Sequence, residues 1–201
     1  TIPEGRTLEE IAKRVEEKTP YSAKEFMDLV TNPEFIDQMI AKYPDLLTEE
    51  IKGENLRYDL EGYLFPATYS YYEEKPALES IVDEMLKTTA KNITPYMETL
   101  VQEEKSVHWL LTFASLLEEE ATADTDRATI ASVFINRMKE DMPLHTDPTV
   151  LYALGEHKDR VLYDDLEIDH PYNTYKIQGL PPGPISNSGS SSLDAVLNPS
   201  N

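Results

Sequence analysis

The sequence predicts an α+β protein, and two kinds of pattern carry the prediction. Most of the chain is a succession of apolar stripes at helical spacing, many preceded by a Ser, Thr, Asp or Asn suited to capping a helix. One stretch departs from this. Leu60-Glu-Gly-Tyr-Leu-Phe-Pro-Ala-Thr-Tyr-Ser-Tyr-Tyr72 is aromatic and punctuated by Gly and Pro, which favours strand and turn. At 201 residues and 40% hydrophobic content, the chain suffices for one large domain or two small ones.

Taken in order, Thr7 and Glu10 form a capping box for a first helix, whose stripe is Leu8, Ile11, Ala12 and Val15. Ser22 and Glu25 repeat the device for a second helix, with Phe26, Leu29 and Val30 facing inward. Asn32-Pro33 breaks it, and a third segment carries Phe35, Ile36, Met39 and Ile40 up to Pro44. After the aromatic stretch, Glu73-Glu-Lys-Pro76 marks a boundary that divides the chain into residues 1–75 and 76–201. A helix is expected over 77–91, with Leu78, Ile81, Val82, Met85 and Leu86 inside, and another after Thr94-Pro95. Ser106 then caps the most apolar run of the sequence, Trp109 to Thr122. Asp124 or Thr125 is expected to cap the next helix, striped by Ile130, Val133, Phe134 and Met138. Asp147-Pro148 reads as an N-cap and first helical residue, with Gly155 closing that helix. Gly179-Leu-Pro-Pro-Gly-Pro-Ile185 is rigid irregular backbone, and Ser192 caps a last short helix through Leu197.

A formal charge of −20 argues against nucleic acid or an anionic membrane surface as a direct partner, and it is compatible with a neutral or weakly charged substrate such as a glycan. Cysteine is absent, which excludes disulfides, thiolate metal sites and a thiol nucleophile. No run approaches the ~20 apolar residues that span a bilayer. Thr1-Ile-Pro-Glu-Gly5 reads like the interior of a longer chain, so an anchor or signal is expected upstream.

The chemistry centres on the end of the Trp109 run, Glu118-Glu119-Glu120. On a helix, Trp109, Phe113, Leu116, Leu117 and Glu120 fall along one side, with Glu118 about 200° from Glu120. Glu120 thus stands at the edge of an apolar face, where desolvation raises a carboxyl pKa and suits it to general acid work. The plainer alternative is three glutamates solvating a helix end. Most glycosidases need a second carboxylate, for which Asp147 is the first candidate, unless the substrate supplies the nucleophile itself. Histidines 108, 145, 157 and 170 match no metal-ligand spacing, and neither a serine-hydrolase elbow nor a nucleotide-binding glycine motif occurs. The tyrosines of 60–72 and the segment Pro171-Tyr-Asn-Thr-Tyr175 offer rings, an amide and hydroxyls suited to a sugar. The alternatives are a core hinge for the first and a self-bonded turn for the second.

Five stretches resemble, in order, the signature blocks of the MltG (YceG-like) family of endolytic murein transglycosylases. They are Ala114-Ser-Leu-Leu-Glu-Glu-Glu120, Ile130-Ala-Ser-Val-Phe-Ile-Asn-Arg137, Pro143-Leu-His-Thr-Asp-Pro-Thr-Val150, Tyr172-Asn-Thr-Tyr175 and Gly179-Leu-Pro-Pro-Gly-Pro-Ile185. Upstream, Ile2-Pro-Glu-Gly-Arg-Thr-Leu-Glu-Glu-Ile11 and Leu60-Glu-Gly-Tyr-Leu-Phe-Pro66 resemble the family's LysM-like subdomain and its junction with the catalytic part. The resemblance implies a small LysM-like α/β subdomain over 1–75 and a mainly helical lytic-transglycosylase-like domain with short strands over 76–201, C-terminally incomplete. It implies a single-pass cell-membrane protein with its catalytic domain outside, anchored by an N-terminal segment that lies beyond this chain. Such enzymes cleave nascent peptidoglycan between N-acetylmuramic acid (MurNAc) and N-acetylglucosamine (GlcNAc), leave 1,6-anhydro-MurNAc ends, and use no metal or cofactor. Cell-wall synthases are the implied partners and termination of glycan elongation the implied role. A non-catalytic glycan-binding or scaffold protein of the same machinery is the alternative. The acid/base role is expected at Glu120, with Glu118 as second choice, and substrate contacts at Asn136, Thr146, Asp147, Tyr172, Asn173, Thr174 and Tyr175. Two positions depart from the family pattern. Glu119 stands where a basic residue is usual, adding a negative charge that should push a neighbouring carboxyl pKa up. His145 stands where Gln is frequent. The family's closing strand segment is also expected beyond Asn201.

Overall fold

The computed structural model describes residues 1–122, 126–155 and 160–201, which are 54% helical. The N-terminal helices form where their caps demand. Thr7 and Ser22 each complete a capping box, with Glu10 and Glu25, at the heads of α1 (Leu8–Lys18) and α2 (Ala23–Val30). Asn32 caps α3 (Pro33–Lys42), whose first-turn proline costs no hydrogen bond because that N–H has no helical acceptor. The expected stripes face the core: Leu8, Ile11, Ala12 and Val15 are buried in α1, and in α2 Phe26 and Val30 are buried with Leu29 partly so. α4 (Leu78–Ile93) packs on α2, and the short α5 (Met97–Gln102) leads to α6 (Val107–Glu120).

α6 organises the second half. The sequence suggests an amphipathic helix, but Val107 and every residue from Leu110 to Leu117 are buried, so the helix is covered on all sides. α7 (Arg127–Lys139), α8 (Asp147–Leu154) and α9 (Ser190–Leu197) provide much of that cover. Carboxylates appear only at Glu118-Glu119-Glu120, where the helix emerges from the core. Apolar residues of both halves of the chain join in one core, from Ile2 and Leu8 through Leu64 to Leu116 and Val196.

Three helix starts differ from expectation. Asp126 caps α7, accepting from the Ala128 amide, while the expected caps Asp124 and Thr125 lie outside the described residues. The cap position of α8 is Thr146 rather than Asp147, and its hydroxyl is spent elsewhere. α9 begins at Ser190 after Gly189, with Ser192 buried inside it. Gly155 does close α8, in the left-handed conformation at φ 69°.

The strand expected in 60–72 is not formed among the described residues; that stretch is turns and bends. Its backbone groups are claimed by unrelated partners, which precludes a ladder. Leu64 N–H donates to the Asn187 side chain (3.0 Å), Phe65 N–H to the Met85 carbonyl (3.4 Å), and the Tyr63 carbonyl accepts from Thr89 (2.6 Å). Gly62 sits at φ 92°, and a Cβ there would meet Pro184 at 2.2 Å, so only glycine fits. Extended pairing reduces, among the described residues, to one isolated antiparallel bridge between Arg6 and Asn187, which stitches the N-terminal segment onto the C-terminal loop. No helix among the described residues is long and apolar enough to cross a membrane.

Candidate active site

The three glutamates at the end of α6 point about 100° apart, and tertiary structure gives each a different fate. Glu118 turns inward. Its side chain is 6% exposed, one oxygen accepts from Arg127 Nη2 at 2.9 Å, and the other accepts from the Gly189 amide at 2.8 Å. Arg127 also donates to Ser192 at 3.0 Å, so this carboxylate ties the starts of α7 and α9 to the end of α6. Glu119 lies over Gly5, whose missing Cβ would stand 3.3 Å from its Oε1. Crowding by protein, then Glu10 and Glu118, push its carboxyl up to about 7, against the pull of Ser186 and Arg6. The residue remains open to water, which moderates that shift. Glu120 is partly exposed and accepts a hydrogen bond from the Thr146 hydroxyl.

Thr146 is held for that task. It is 1% exposed, its amide donates to Thr174 Oγ1 at 3.0 Å, and its carbonyl accepts from the hydroxyls of Thr149 (2.8 Å) and Thr174 (3.2 Å). Next to it, exposed Asp147 accepts from the Tyr175 hydroxyl. Burial of Tyr175, followed by that bond to Asp147, pushes the phenol up to about 12. The ring of Tyr175 stacks on His145 with centroids 4.8 Å apart and planes 7° from parallel. His145 reaches this position from the left-handed conformation at φ 52°, its amide bonded to the Thr174 carbonyl. The site is thus a carboxylate with a hydroxyl donor, a second carboxylate on a phenol, and a stacked pair of rings.

The remaining expected contacts lie below or beside this surface. Tyr172 is 1% exposed, packed against Tyr152, with its hydroxyl accepting from the Arg57 amide at 3.4 Å. Asn173 is fully buried and organises its own loop. Its amide nitrogen donates to the carbonyls of Leu166 and Ile168, and its oxygen accepts from the Tyr175 amide. Thr174 is buried under Thr146. In this segment the self-bonded turn and the ring-bearing surface are both real, on different residues. Asn136 is exposed on α7. Of the four histidines, His108 links Tyr63 to the Pro182 carbonyl, His170 lies against Tyr172, and His157 lies outside the described residues.

Sequence reasoning missed Arg127 and Gly189, which bind the Glu118 carboxylate, because neither carries a local signal of its partner. It also missed Arg57 and Glu61 beneath α8, taken up below.

Fold and site together define a mainly helical domain whose central helix, covered from Leu110 to Leu117, ends in carboxylates at an open surface. The chain belongs to the YceG-like family, whose model it matches over residues 1–201. It is 51% identical over 199 residues to the endolytic murein transglycosylase of Bacillus subtilis (strain 168), covering 99% of this chain and 55% of that one. It is 44% identical over 207 residues to the protein of that name from Streptococcus pneumoniae serotype 2 (strain D39), covering 98% of this chain and 37% of that one. The crystal structure of a putative yceG-like protein from Listeria monocytogenes superposes on the whole chain and on 66% of its own, with a TM-score of 0.96 at 49% identity. The chain therefore spans about half, or less, of the length of the curated relatives it matches.

Proposed function

We propose that this chain is the catalytic portion of an endolytic peptidoglycan lytic transglycosylase, with Glu120 as its acid and base. The observation that carries the choice of residue is the contrast between two carboxylates. Glu118 has both oxygens bound to protein donors, whereas Glu120 meets solvent beside a single hydroxyl. In the reaction, protonated Glu120 donates to the GlcNAc oxygen as its bond to MurNAc C1 breaks, and the 2-acetamido group steadies the developing positive charge. The resulting carboxylate then takes the proton of the MurNAc C6 hydroxyl as that oxygen attacks C1. A 1,6-anhydro ring forms, Glu120 is protonated again, and no water is consumed. The Thr146 hydroxyl orients the carboxylate through both steps. Tyr175 and Asp147 contact the sugar, Asn136 extends the contact surface along α7, and the buried Thr146, Tyr172, Asn173 and Thr174 act from beneath by fixing those groups.

The names of the relatives support murein as substrate, and the charge of −20 fits a glycan better than a polyanion. On the same reading, residues 1–75 are a LysM-like subdomain that shares its core with the catalytic residues 76–201. The longer protein is anchored by one N-terminal span with this part outside the cell membrane, working beside wall synthases and ending glycan elongation.

Glu120→Gln tests the proposal. Removing the transferable proton is expected to slow cleavage by about 10²–10⁴-fold, with mass spectrometry of digested glycan strands as the readout. Wild type should yield ends lighter by one water than hydrolysed ends. Hydrolysed ends from wild type would make the protein a hydrolase, no cleavage at all would favour the scaffold alternative, and undiminished anhydro product from the variant would move the role to another carboxylate.

A further inference from the structure

Away from the acidic end of α6, the most unusual ionisable group is Glu61. It is 1% exposed, and its recorded partners are all neutral. One oxygen accepts from the Leu8 amide at 2.8 Å and from Asn187 Nδ2 at 3.0 Å, and the other accepts from the Tyr152 hydroxyl at 3.0 Å. These donors come from three separate pieces of the fold. Leu8 opens α1, so its N–H is an orphan donor at the positive end of a helix. Asn187 also donates to the Arg6 carbonyl and precedes Gly189, the residue that holds Glu118. Tyr152 belongs to α8, whose opposite end presents Thr146 to Glu120.

Arg57 reinforces the same grip. Its guanidinium donates to the carbonyls of Tyr152 and Ala153 and lies 4.6 Å above the Tyr152 ring, capping the negative end of α8. α8 is therefore clasped at one end by the segment 57–61 and touches the proposed acid at the other, about 9 Å away at 1.5 Å per residue. A rigid two-turn helix held this way transmits any tilt at Tyr152 to Thr146.

We propose that Glu61 is a positioning residue for the reaction at Glu120: by holding Tyr152 it sets the tilt of α8, and with it the place of Thr146 and Asp147 against the acid. The inference rests on the assignment of Glu120 above. The charged and titratable groups around Glu61 are Glu9 from α1, Arg57 and Tyr58 from its own segment, Tyr152 from α8 and Tyr172 from the loop beneath the site. Burial dominates among these influences and pushes the Glu61 carboxyl up to about 8, against the pull of its three donors. Neutral Glu61 can donate to the Tyr152 oxygen while accepting from Leu8 and Asn187. Ionised Glu61 must instead accept from all three, so the Tyr152 hydroxyl turns, and an unneutralised charge in the core draws water toward the foot of α8. Alkaline pH thereby loosens the hold on Thr146.

Gln at position 61 reproduces the neutral donor and acceptor pattern at all pH values. The test compares wild type, Glu61→Gln and Tyr152→Phe from pH 6 to 9 by two readouts. The first is kcat and KM for anhydro-end formation on isolated glycan strands. The second is hydrogen exchange of the peptide containing residues 144–152, corrected for the intrinsic rate. Wild type is expected to lose at least threefold in kcat between pH 7 and 9, with KM steady, and to lose protection in that peptide. Glu61→Gln is expected to keep its protection and to lose at least threefold less kcat than wild type over that range, since Glu119 titrates in both proteins. Tyr152→Phe, which keeps the ring and loses the link, is expected to fall at least fivefold in kcat at all pH values with KM within twofold. Profiles of wild type and Glu61→Gln that superpose in both readouts would overturn the proposal, as would a Tyr152→Phe protein with wild-type kcat and protection. If Glu61→Gln does not fold, Tyr152→Phe decides. Wild type and Glu120→Gln are compared in the same assay: failure of the transglycosylase reading would appear as the wrong product or none from wild type, and failure of the Glu120 assignment as undiminished product from Glu120→Gln, while hydrogen exchange still decides the role of Glu61.

Discussion

At the scale of single residues, identical side chains acquire opposite uses from their surroundings. Glu118, Glu119 and Glu120 are adjacent, yet one is bound into an ion pair, one is crowded against Gly5, and one meets a hydroxyl at the surface. Glu61 shows the thermodynamic side of the same rule. Its carboxyl rises to about 8 from an ordinary value of 4.5, so the folded protein holds a proton that the unfolded chain releases. The stability linked to that proton is fully present below about pH 4.5 and is lost as pH rises through about 8. Glu61→Gln should abolish this loss. Urea denaturation at pH 5 and pH 8 is expected to show wild type losing a few kcal/mol more than the variant across that interval. Glu119 contributes a change of the same sign in both proteins, so it cancels from the comparison.

At the scale of elements, the caps were legible and the uses of capping residues were not. Thr7, Ser22 and Ser106 act as the local pattern indicates, because a cap is satisfied within three residues of itself, and Asn32, read only as a helix break, caps α3 in the same way. Thr146 stands at the head of α8 but gives its hydroxyl to Glu120, 26 residues away. Thr146→Val is therefore expected to leave α8 intact, since no cap bond is lost, while lowering kcat by roughly 10-fold through removal of one hydrogen bond to a charged group. Circular dichroism with steady-state cleavage rates checks both halves of that statement. The aromatic segment 60–72 teaches the converse. Its composition favours strand, but its backbone groups are taken one by one by Asn187, Met85 and Thr89, and a turn-rich junction results.

At the scale of the whole molecule, the sequence boundary at 73–76 does not separate two cores. Arg6 pairs with Asn187, Tyr21 donates to the Pro76 carbonyl, and apolar residues from both halves pack together. Scanning calorimetry is accordingly expected to give one cooperative transition, with calorimetric and van't Hoff enthalpies equal. Two resolved transitions would show that residues 1–75 and 76–201 unfold independently. The sequence by itself determined the helices, through caps and stripes satisfied within a few residues, and it located the acidic end of α6 together with the blocks around it. Only the tertiary structure decided that α6 is covered on all sides, that Glu118 is bound while Glu120 is open, and that Glu61 joins α1, α8 and the 187 loop. The physical reason is distance along the chain. Glu118 meets Gly189 across 71 residues and Glu61 meets Asn187 across 126, and no local propensity encodes which donor will close on a buried carboxylate.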